Sequence, residues 1–215
     1  MKMSIAVIDY GSGNLKSAAK ALEVAVNNIN LSSKIVVTSD PKTIKQSDKI
    51  ILPGQGSFRD CYLGIKKIPG LNETLNEFVL VKKKPIFGIC VGMQLFAKTG
   101  YESQETKGFG WIDGEVRKVN NINKTLKLPH MGWNEIELKK DCFLFSNLEN
   151  KSHMYFVHSY ELITKQKDYV VATANYGRPV TAAVVKENIF GTQFHPEKSQ
   201  KNGLKILENF LKWKL

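Results

Sequence analysis

Short, largely apolar runs separated by amphipathic segments dominate the first half of the chain. Runs of this length, bounded by polar, Gly or Pro residues, are typical of strands buried in a parallel sheet. They lie at 4–9, 34–38, 49–52 and 86–89. Between them, helices are predicted over 15–26, from Asp40-Pro41 onward, and over 61–68, 71–81 and 93–98. This alternation predicts an α/β fold with a parallel sheet and right-handed crossovers.

The pattern changes after Gly108, where strands follow one another through short turns. Strands are predicted at 111–119, 134–138, 153–160, 169–174, 181–185 and 189–194, with a polar loop at 120–124. An amphipathic helix is predicted over 203–214. We therefore expect an antiparallel region added to a mostly parallel sheet with flanking helices. No linker, repeat or low-complexity tract divides the chain, which predicts one domain over 1–215.

The strand at 86–89 leads directly into Gly88-x-Cys90-x-Gly92. A nucleophile between a strand and a helix, flanked by glycines, is the layout of a nucleophile elbow, here with Cys in place of Ser. Free N–H groups at the start of the helix favour the thiolate, which is the reactive form of cysteine. The competing interpretation is a buried packing cysteine. It is favoured at Cys61 and Cys142, whereas the glycines favour a nucleophile at Cys90.

A nucleophilic cysteine needs a base, and the base needs a group that orients it. Of four histidines, His195 stands in Phe194-His195-Pro196-Glu197. The proline favours extended backbone at His195, and residues two apart in extended chain point to the same side. Glu197 is thus predicted to orient the imidazole. A surface His–Glu pair is the alternative, and the preceding strand at 189–194 favours the catalytic interpretation.

A second glycine-rich turn, Pro53-Gly54-Gln55-Gly56, closes the strand at 49–52. Open α/β sheets place their ligands at the carboxyl ends of strands. Backbone N–H groups of this turn are therefore candidates to face an oxyanion. A plain β-to-α turn fits the same residues equally well. Gly11-x-Gly13 after the first strand lacks the third glycine of a dinucleotide-binding fingerprint, and the sequence indicates no cofactor and no metal.

Composition excludes several classes of protein. The hydrophobic share of 42% and the charged share of 24% are ordinary for a globular protein. The net charge is +11, but the basic residues are almost all dispersed lysines, and no nucleic-acid motif is present. No apolar stretch is long enough to span a membrane, and the first residues do not form a signal peptide. Three scattered cysteines predict a reducing, cytoplasmic compartment.

Taken in order, the P-G-x-G turn, the cysteine elbow and H-P-E resemble the class I, triad-type glutamine amidotransferases. The resemblance runs nearly end to end and implies a flavodoxin-like α/β fold. Three further stretches are similar to the branch that forms the glutaminase subunits of imidazole glycerol phosphate synthase. They are D-Y-G-S-G-N-L at 9–15, L-P-H-M-G-W-N at 128–134 and Y-F-V-H-S-Y at 155–160. Gln55 departs from the family, which usually has a small apolar residue there, often Val.

The resemblance implies a role for each matching position. Cys90 is the nucleophile, His195 the general acid/base and Glu197 its orienter. The family's oxyanion and glutamine-binding positions correspond to Gly54, Gln55, Gly56, Val91, Gln94, His158, Ser159 and Tyr160. The family's partner-facing positions correspond to Asn14, Met131, Trp133 and Asn134. A satisfied strand end for His158 and Tyr160, and ordinary core for Met131 and Trp133, are the alternatives.

The resemblance further implies hydrolysis of L-glutamine to glutamate and ammonia through a cysteinyl thioester. Ammonia then passes to a separate (βα)8-barrel cyclase, the heterodimer partner in histidine biosynthesis, with no nucleic acid or membrane involved. Two alternatives remain. One is a paralogous amidotransferase subunit that feeds a different synthase. The other is a catalytically idle binding subunit, which the presence of all three triad residues disfavours.

Overall fold

The computed structural model describes residues 2–120 and 126–214. The predicted polar loop at 120–124 lies outside them except for Asn120. The strands are β1 (Met3–Ile8), β2 (Ser33–Thr38), β3 (Lys49–Gly54), β4 (Ile86–Cys90), β5 (Thr99–Tyr101), β6 (Glu105–Lys107), β7 (Gly114–Lys118), β8 (His130–Leu138), β9 (His153–His158), β10 (Tyr160–Thr164), β11 (Val170–Asn175), β12 (Pro179–Lys186) and β13 (Ile189–Thr192). The α-helices are α1 (Leu15–Asn28), α2 (Pro41–Gln46), α3 (Phe58–Lys67), α4 (Leu71–Asn76), α5 (Val91–Gln94) and α6 (Gln200–Lys212).

Among the described residues, nine strands form the main sheet, in the order β2-β1-β3-β4-β13-β12-β11-β8-β9. The pairings from β2 through β13 are parallel, and those from β13 to β9 are antiparallel. The predicted fold class, a parallel sheet with an added antiparallel region and flanking helices, is confirmed. Strand β13 joins the two regions, because it pairs in parallel with β4 and antiparallel with β12.

A smaller four-stranded sheet, in the order β10-β7-β5-β6, lies beside the main one. The prediction of a single strand over 153–160 is wrong, because the chain changes sheets at Ser159. Strand β9 pairs with β8 in the main sheet, whereas β10 pairs with β7 in the small sheet. Strands β5 and β6 have only three residues each and were not predicted, since such short segments show no clear alternation of apolar and polar positions.

The helix predicted over 93–98 is also wrong. The helix after the cysteine is α5, which begins at Val91 and lasts four residues. Three carbonyls that would continue it, those of residues 95–97, accept hydrogen bonds from the amides of Phe109, Ile112 and Gly110 instead. A distant loop therefore takes the bonding groups that a longer helix would need. The helix predicted over 71–81 is divided into α4 and a π-helical segment, Glu77–Val81.

The core strands place the candidate residues at one edge of the sheet. Strands β3 and β4 are buried throughout, as is most of β1. Because β1, β3, β4 and β13 run parallel, their carboxyl ends meet at the same edge. The final helix is fixed to this core by the buried Lys49, whose Nζ donates to the carbonyls of Phe210, at 2.7 Å, and Trp213. Within the described residues, no helix is long and apolar enough to cross a membrane.

Candidate active site

Cys90 occupies a strained turn between β4 and α5. Its backbone has φ +55° and ψ −113°, a conformation that residues with a Cβ rarely adopt. The turn is also very close to β3: a Cβ on Gly92 would lie 1.9 Å from the carbonyl oxygen of Leu52. A Cβ on Gly54 would lie 2.4 Å from the amide nitrogen of Gly92. The two glycine-rich turns are thus in direct backbone contact, and the elbow expected from the sequence is present.

Polar groups from distant parts of the chain also lie near the sulfur of Cys90, beside the start of the four-residue helix α5. The side chain of Gln193 donates from Nε2 to Cys90 Sγ, at 3.6 Å. The sulfur also lies 3.9 Å from the carbonyl oxygen of Val157. The sulfur of Cys90 therefore has polar neighbours from β9 and from the segment after β13.

His195 and Glu197 form the pair that the sequence predicts. His195 Nδ1 lies 2.8 Å from Glu197 Oε1, and both side chains are buried. Burial by itself lowers the pKa of His195, but the interactions with Cys90 and Glu197 outweigh it and raise this pKa to about 10. The ring is therefore cationic at neutral pH. Its Nε2 atom is buried and, apart from the interaction with Cys90, has no hydrogen-bonding partner among the described residues.

A cavity of about 270 Å³ opens beside the cysteine. It is lined by Gln55, Gly56, Cys90, Val91, Gln94, Glu102, Pro129, Val157, His158, Ser159, Tyr160, His195 and Lys198. Apart from Gly54 and Glu197, every predicted catalytic, oxyanion and substrate-binding residue belongs to this lining. The structure thus brings these residues together from four regions of the sequence.

Three polar residues at or near this cavity were not predicted. Gln193 contacts the sulfur, and its place two residues before His195 in extended chain is the signal that would have identified it. Glu102 follows the short strand β5, where the sequence pattern gives no signal. Its Oε2 accepts from the amide of Phe58 at 2.6 Å, and its carbonyl accepts from the hydroxyl of Tyr160 at 3.2 Å. Lys198 follows Glu197 directly and stands at the rim.

The turn at Gly54–Gly56 lies beside the cavity, but the N–H of Gln55 faces elsewhere. It donates to Ser12 Oγ at 3.3 Å, and the Ser12 hydroxyl in turn donates to the Gln55 carbonyl. The thiol of Cys61 donates to the same carbonyl at 3.4 Å. In this conformation Ser12 and Cys61 hold the carbonyl of Gln55. Ser12 also accepts from its N–H, which is therefore not free to face a reacting oxygen.

A second buried histidine, His158, also lines the cavity. Burial lowers its pKa to about 3, and the hydrogen bond to the Tyr160 carbonyl only partly opposes this. The neighbouring His130 also has a pKa lowered by burial, to about 4. Both rings are therefore neutral at physiological pH. Among the described residues, no group of three or more His, Cys, Asp or Glu side chains is placed to hold a metal ion.

The four residues expected at a partner surface do not line the cavity. Asn14 caps α1, accepting from the amide of Ser17 at 3.2 Å. Met131 and Trp133 lie on one face of β8 and are 63% and 48% exposed. The interpretation of these two side chains as ordinary core is therefore wrong. Asn134 is partly exposed and hydrogen-bonded to the buried His130.

Comparison with known proteins extends this description. The family described as Glutamine amidotransferase class-I matches residues 6–213. An imidazole glycerol phosphate synthase subunit HisH from Pelagibacter ubique is 55% identical over 210 residues, covering 97% of this chain and 99% of the relative. The HisH subunit from Bradyrhizobium diazoefficiens is 49% identical over 215 residues, covering 99% of this chain and all of the relative.

Solved structures share the fold at much lower sequence identity. A glutamine amidotransferase structure is 16% identical with a TM-score of 0.70, covering 96% of this chain and 97% of that one. Another, from Thermotoga maritima, is 18% identical with a TM-score of 0.64, covering 94% of this chain and 80% of that one.

Proposed function

The chain belongs to the class I glutamine amidotransferases, and from that premise we propose that it is the glutaminase subunit of an imidazole glycerol phosphate synthase. It hydrolyses L-glutamine and passes the ammonia to a cyclase partner in histidine biosynthesis. The name of the HisH relatives supports this, because they match over nearly the full length of both chains. On this proposal, residues 1–215 form one amidotransferase domain, and the three free thiols fit a reducing cytoplasm.

One observation carries the proposal. A cysteine in a strained elbow, a buried histidine bonded to a glutamate, and a small cavity meet at one edge of the sheet. The raised pKa of His195 keeps its imidazolium beside the sulfur, where it favours the thiolate. This arrangement suits attack on an acyl carbon followed by proton delivery to a leaving nitrogen.

The chemistry then has two stages. Cys90 Sγ attacks the side-chain carbonyl carbon of glutamine. As the C–N bond breaks, His195 gives its Nε2 proton to the leaving nitrogen, so ammonia departs and a glutamyl thioester remains. His195, now neutral, takes a proton from water as the water attacks the thioester. The C–S bond breaks, glutamate leaves, and the thiolate–imidazolium pair is restored. Glu197 orients the ring throughout.

Both tetrahedral intermediates carry a negative oxygen that needs N–H donors. The amide of Val91, directly after the nucleophile, is one candidate, and the Gly54–Gly56 turn holds the other. Because the Gln55 N–H is bonded to Ser12, the turn must rearrange before that group can contribute. We assign this rearrangement to binding of the partner and its ligand, which requires the ligand to interact differently with the two states.

Recognition of glutamine is assigned to the remaining cavity residues. Gln94 and the strand end His158-Ser159-Tyr160 form one side. The carboxylate of Glu102 is suited to the substrate's α-ammonium group, and Lys198 adds a cation at the rim. Charge complementarity of this kind fixes which end of a zwitterionic amino acid enters the cavity.

The partner surface is assigned to Asn14, Met131, Trp133 and Asn134. Two large apolar side chains exposed on one strand are typical of a protein–protein contact. The partner is a separate (βα)8-barrel cyclase that forms a heterodimer with this chain. It uses the ammonia to make imidazole glycerol phosphate and an aminoimidazole carboxamide ribotide.

The proposal is tested by measuring glutamate formation by the chain alone, with the cyclase encoded in the same genome, and with cyclase plus its ribotide substrate. We expect full activity only in the third case. Equal activity of the isolated chain would refute the coupling, and failure to co-purify with that cyclase would favour a paralogue that feeds another synthase. Trp133→Ala should weaken assembly; unchanged assembly and ammonia transfer would remove Trp133 from the interface.

A further inference from the structure

A continuous polar chain crosses the wall of the cavity, and the function proposed above does not use all of it. The polar chain consists of Asn134, His130, His158, the Tyr160 carbonyl, Gln94 and Gln193, and it ends on Cys90 Sγ. Its six hydrogen bonds measure 2.9–3.1 Å between nitrogen and oxygen or nitrogen atoms, and 3.6 Å at the sulfur. It joins the partly exposed strand β8 to the reactive atom.

The donor and the acceptor of each hydrogen bond between Tyr160 and Asn134 follow from the Tyr160 carbonyl, which can only accept. A backbone carbonyl only accepts, so His158 must carry its proton on Nδ1 to donate to Tyr160. The neutral ring then accepts at Nε2, which makes His130 Nδ1 the donor of the bond between the rings. His130 Nε2 is left to accept from Asn134 Nδ2. Both rings are thereby fixed as neutral Nδ1–H tautomers.

The other arm of the polar chain starts at the same carbonyl. Gln94 Nε2 donates both to the Tyr160 carbonyl and to Gln193 Oε1, each at 3.0 Å. Gln193 can then donate to the sulfur from its own Nε2. Two arms therefore meet at Tyr160, one from the histidines and one from the nucleophile. No group between Asn134 and the sulfur is charged at neutral pH, since burial lowers the pKa of both rings.

His130 is built into this arrangement. Its ring stacks between Phe156 and Tyr176, with centroid distances of 4.6 and 4.2 Å. It is buried but does not line the cavity, so it does not touch a bound substrate. Its two nitrogens supply the sole link between Asn134 and His158 within the polar chain. A fully satisfied buried network of this kind holds each member in one position.

We propose that His130 is a positioning residue for glutamine, which holds the cavity wall at His158 and Tyr160 in place through the inter-ring hydrogen bond. This inference rests on the proposed function. Removing the ring nitrogens would leave His158 Nε2 without its donor in a buried site, and the wall would shift to satisfy it. His195 and Glu197 follow β13 and are not members of the polar chain, so the hydrogen bond between them does not depend on His130.

Two variants separate hydrogen bonding from packing. His130→Phe keeps an aromatic ring between Phe156 and Tyr176 but removes both nitrogens. His130→Gln gives up the stacking but restores a side-chain donor and acceptor. The control is Ile44→Ala, a core truncation in α2 near the opposite edge of the main sheet, which lowers stability without reaching the polar chain.

Glutaminase kinetics are measured in the complex with the cyclase and its ribotide substrate. We expect His130→Phe to raise KM for glutamine about tenfold while kcat falls less than about threefold. His130→Gln should recover most of the loss, and Ile44→Ala should leave KM unchanged. A folded His130→Phe variant with the wild-type KM would overturn the proposal.

Two measurements need neither glutamine nor the partner. In nitrogen NMR at pH 7, both rings should be neutral Nδ1–H tautomers; an imidazolium or an Nε2–H tautomer at either ring would overturn the proposal. Amide hydrogen exchange over 157–162 should quicken in His130→Phe and be unchanged in Ile44→Ala. If the wild-type complex fails to hydrolyse glutamine although this local response is seen, the proposed function fails, while the structural link from His130 to His158 and Tyr160 stands. Uniform exchange changes throughout the chain would refute the role.

Discussion

His195 and His158 line the same cavity and are equally buried, yet at neutral pH only His195 is charged. His195, which follows β13, is 5% exposed and has a pKa of about 10; His158, at the end of β9, is 6% exposed and has a pKa of about 3. Burial penalises the cation in both places. The difference lies in the partners: a carboxylate and a thiol contact His195, whereas a carbonyl and another imidazole contact His158. Charge at this site is set by neighbours rather than by depth.

The largest expected effect comes from removing the sulfur beside His195. Cys90→Ala removes the proposed nucleophile, and we expect glutamate formation in the liganded complex to fall about 10⁵-fold or more. Loss of the sulfur also removes one of the two interactions that raise the pKa of His195, so that pKa should fall. The measurement combines an endpoint glutamate assay with a histidine NMR titration. Residual activity above about one hundredth of wild type would exclude Cys90 as the nucleophile.

Glu197→Gln should make the charge state of His195 more like that of His158. Without the carboxylate, His195 keeps only the thiol as an electrostatic partner, and its pKa should fall. We expect activity to drop about 10²- to 10⁴-fold, less than in Cys90→Ala, because the fold still holds the ring near the sulfur. Steady-state kinetics of the two variants in the same complex make the comparison. Equal losses would show that Glu197 does more than orient the ring.

The three cysteines extend the comparison to thiols. Burial raises the pKa of Cys61 and of Cys142, and neither lies beside an imidazolium. Cys90 has His195 as its neighbour. At pH 7, limited iodoacetamide should label Cys90 at least about tenfold faster than the other two. Mass-spectrometric mapping reads the sites directly, and preferential labelling of Cys61 or Cys142 in the folded protein would contradict the assignment.

The smallest expected effect is a difference in pH-dependent stability. The native pKa values of His130 and His158 lie below the unfolded value of about 6.5, so their contribution is lost as pH falls below 6.5. The native pKa of His195 lies above it, so its contribution is present below 6.5 and is lost as pH rises toward 10.

Urea unfolding of matched variants measures how each histidine contributes to the pH dependence of the unfolding free energy. His130→Phe should flatten the loss of stability between pH 6.5 and 4.5, and His195→Gln should flatten the loss between pH 7 and 9.5. If the unfolding free energies of wild type and variant change in parallel over one of these pH ranges, the corresponding ring does not have the shifted pKa.

Sequence patterns were most informative where a residue type has few uses. The cysteine between two glycines and the H-P-E run predicted that Cys90, His195 and Glu197 belong to one site, since strand alternation and proline restrict local geometry strongly. The arrangement of His130 and His158 depends on contacts between distant segments. His130 and His158 meet only because β8 pairs with β9, and their charge depends on tertiary burial. The helix expected over 93–98 failed for the same reason, because the loop at 109–112 takes its carbonyls.

The backbone contact between the two glycine-rich turns restricts how this protein can evolve. At Gly54 and Gly92 any side chain would collide with the backbone of the other turn, so no compensating change in a neighbouring side chain can make room. At Gly56, by contrast, a Cβ would have no atom within 4 Å, and the limit there is a φ of +103°. A saturation library should therefore be nearly empty at the first two positions but retain Asn or Asp variants at the third. Adaptation of the elbow must proceed through residues around it, such as Gln55.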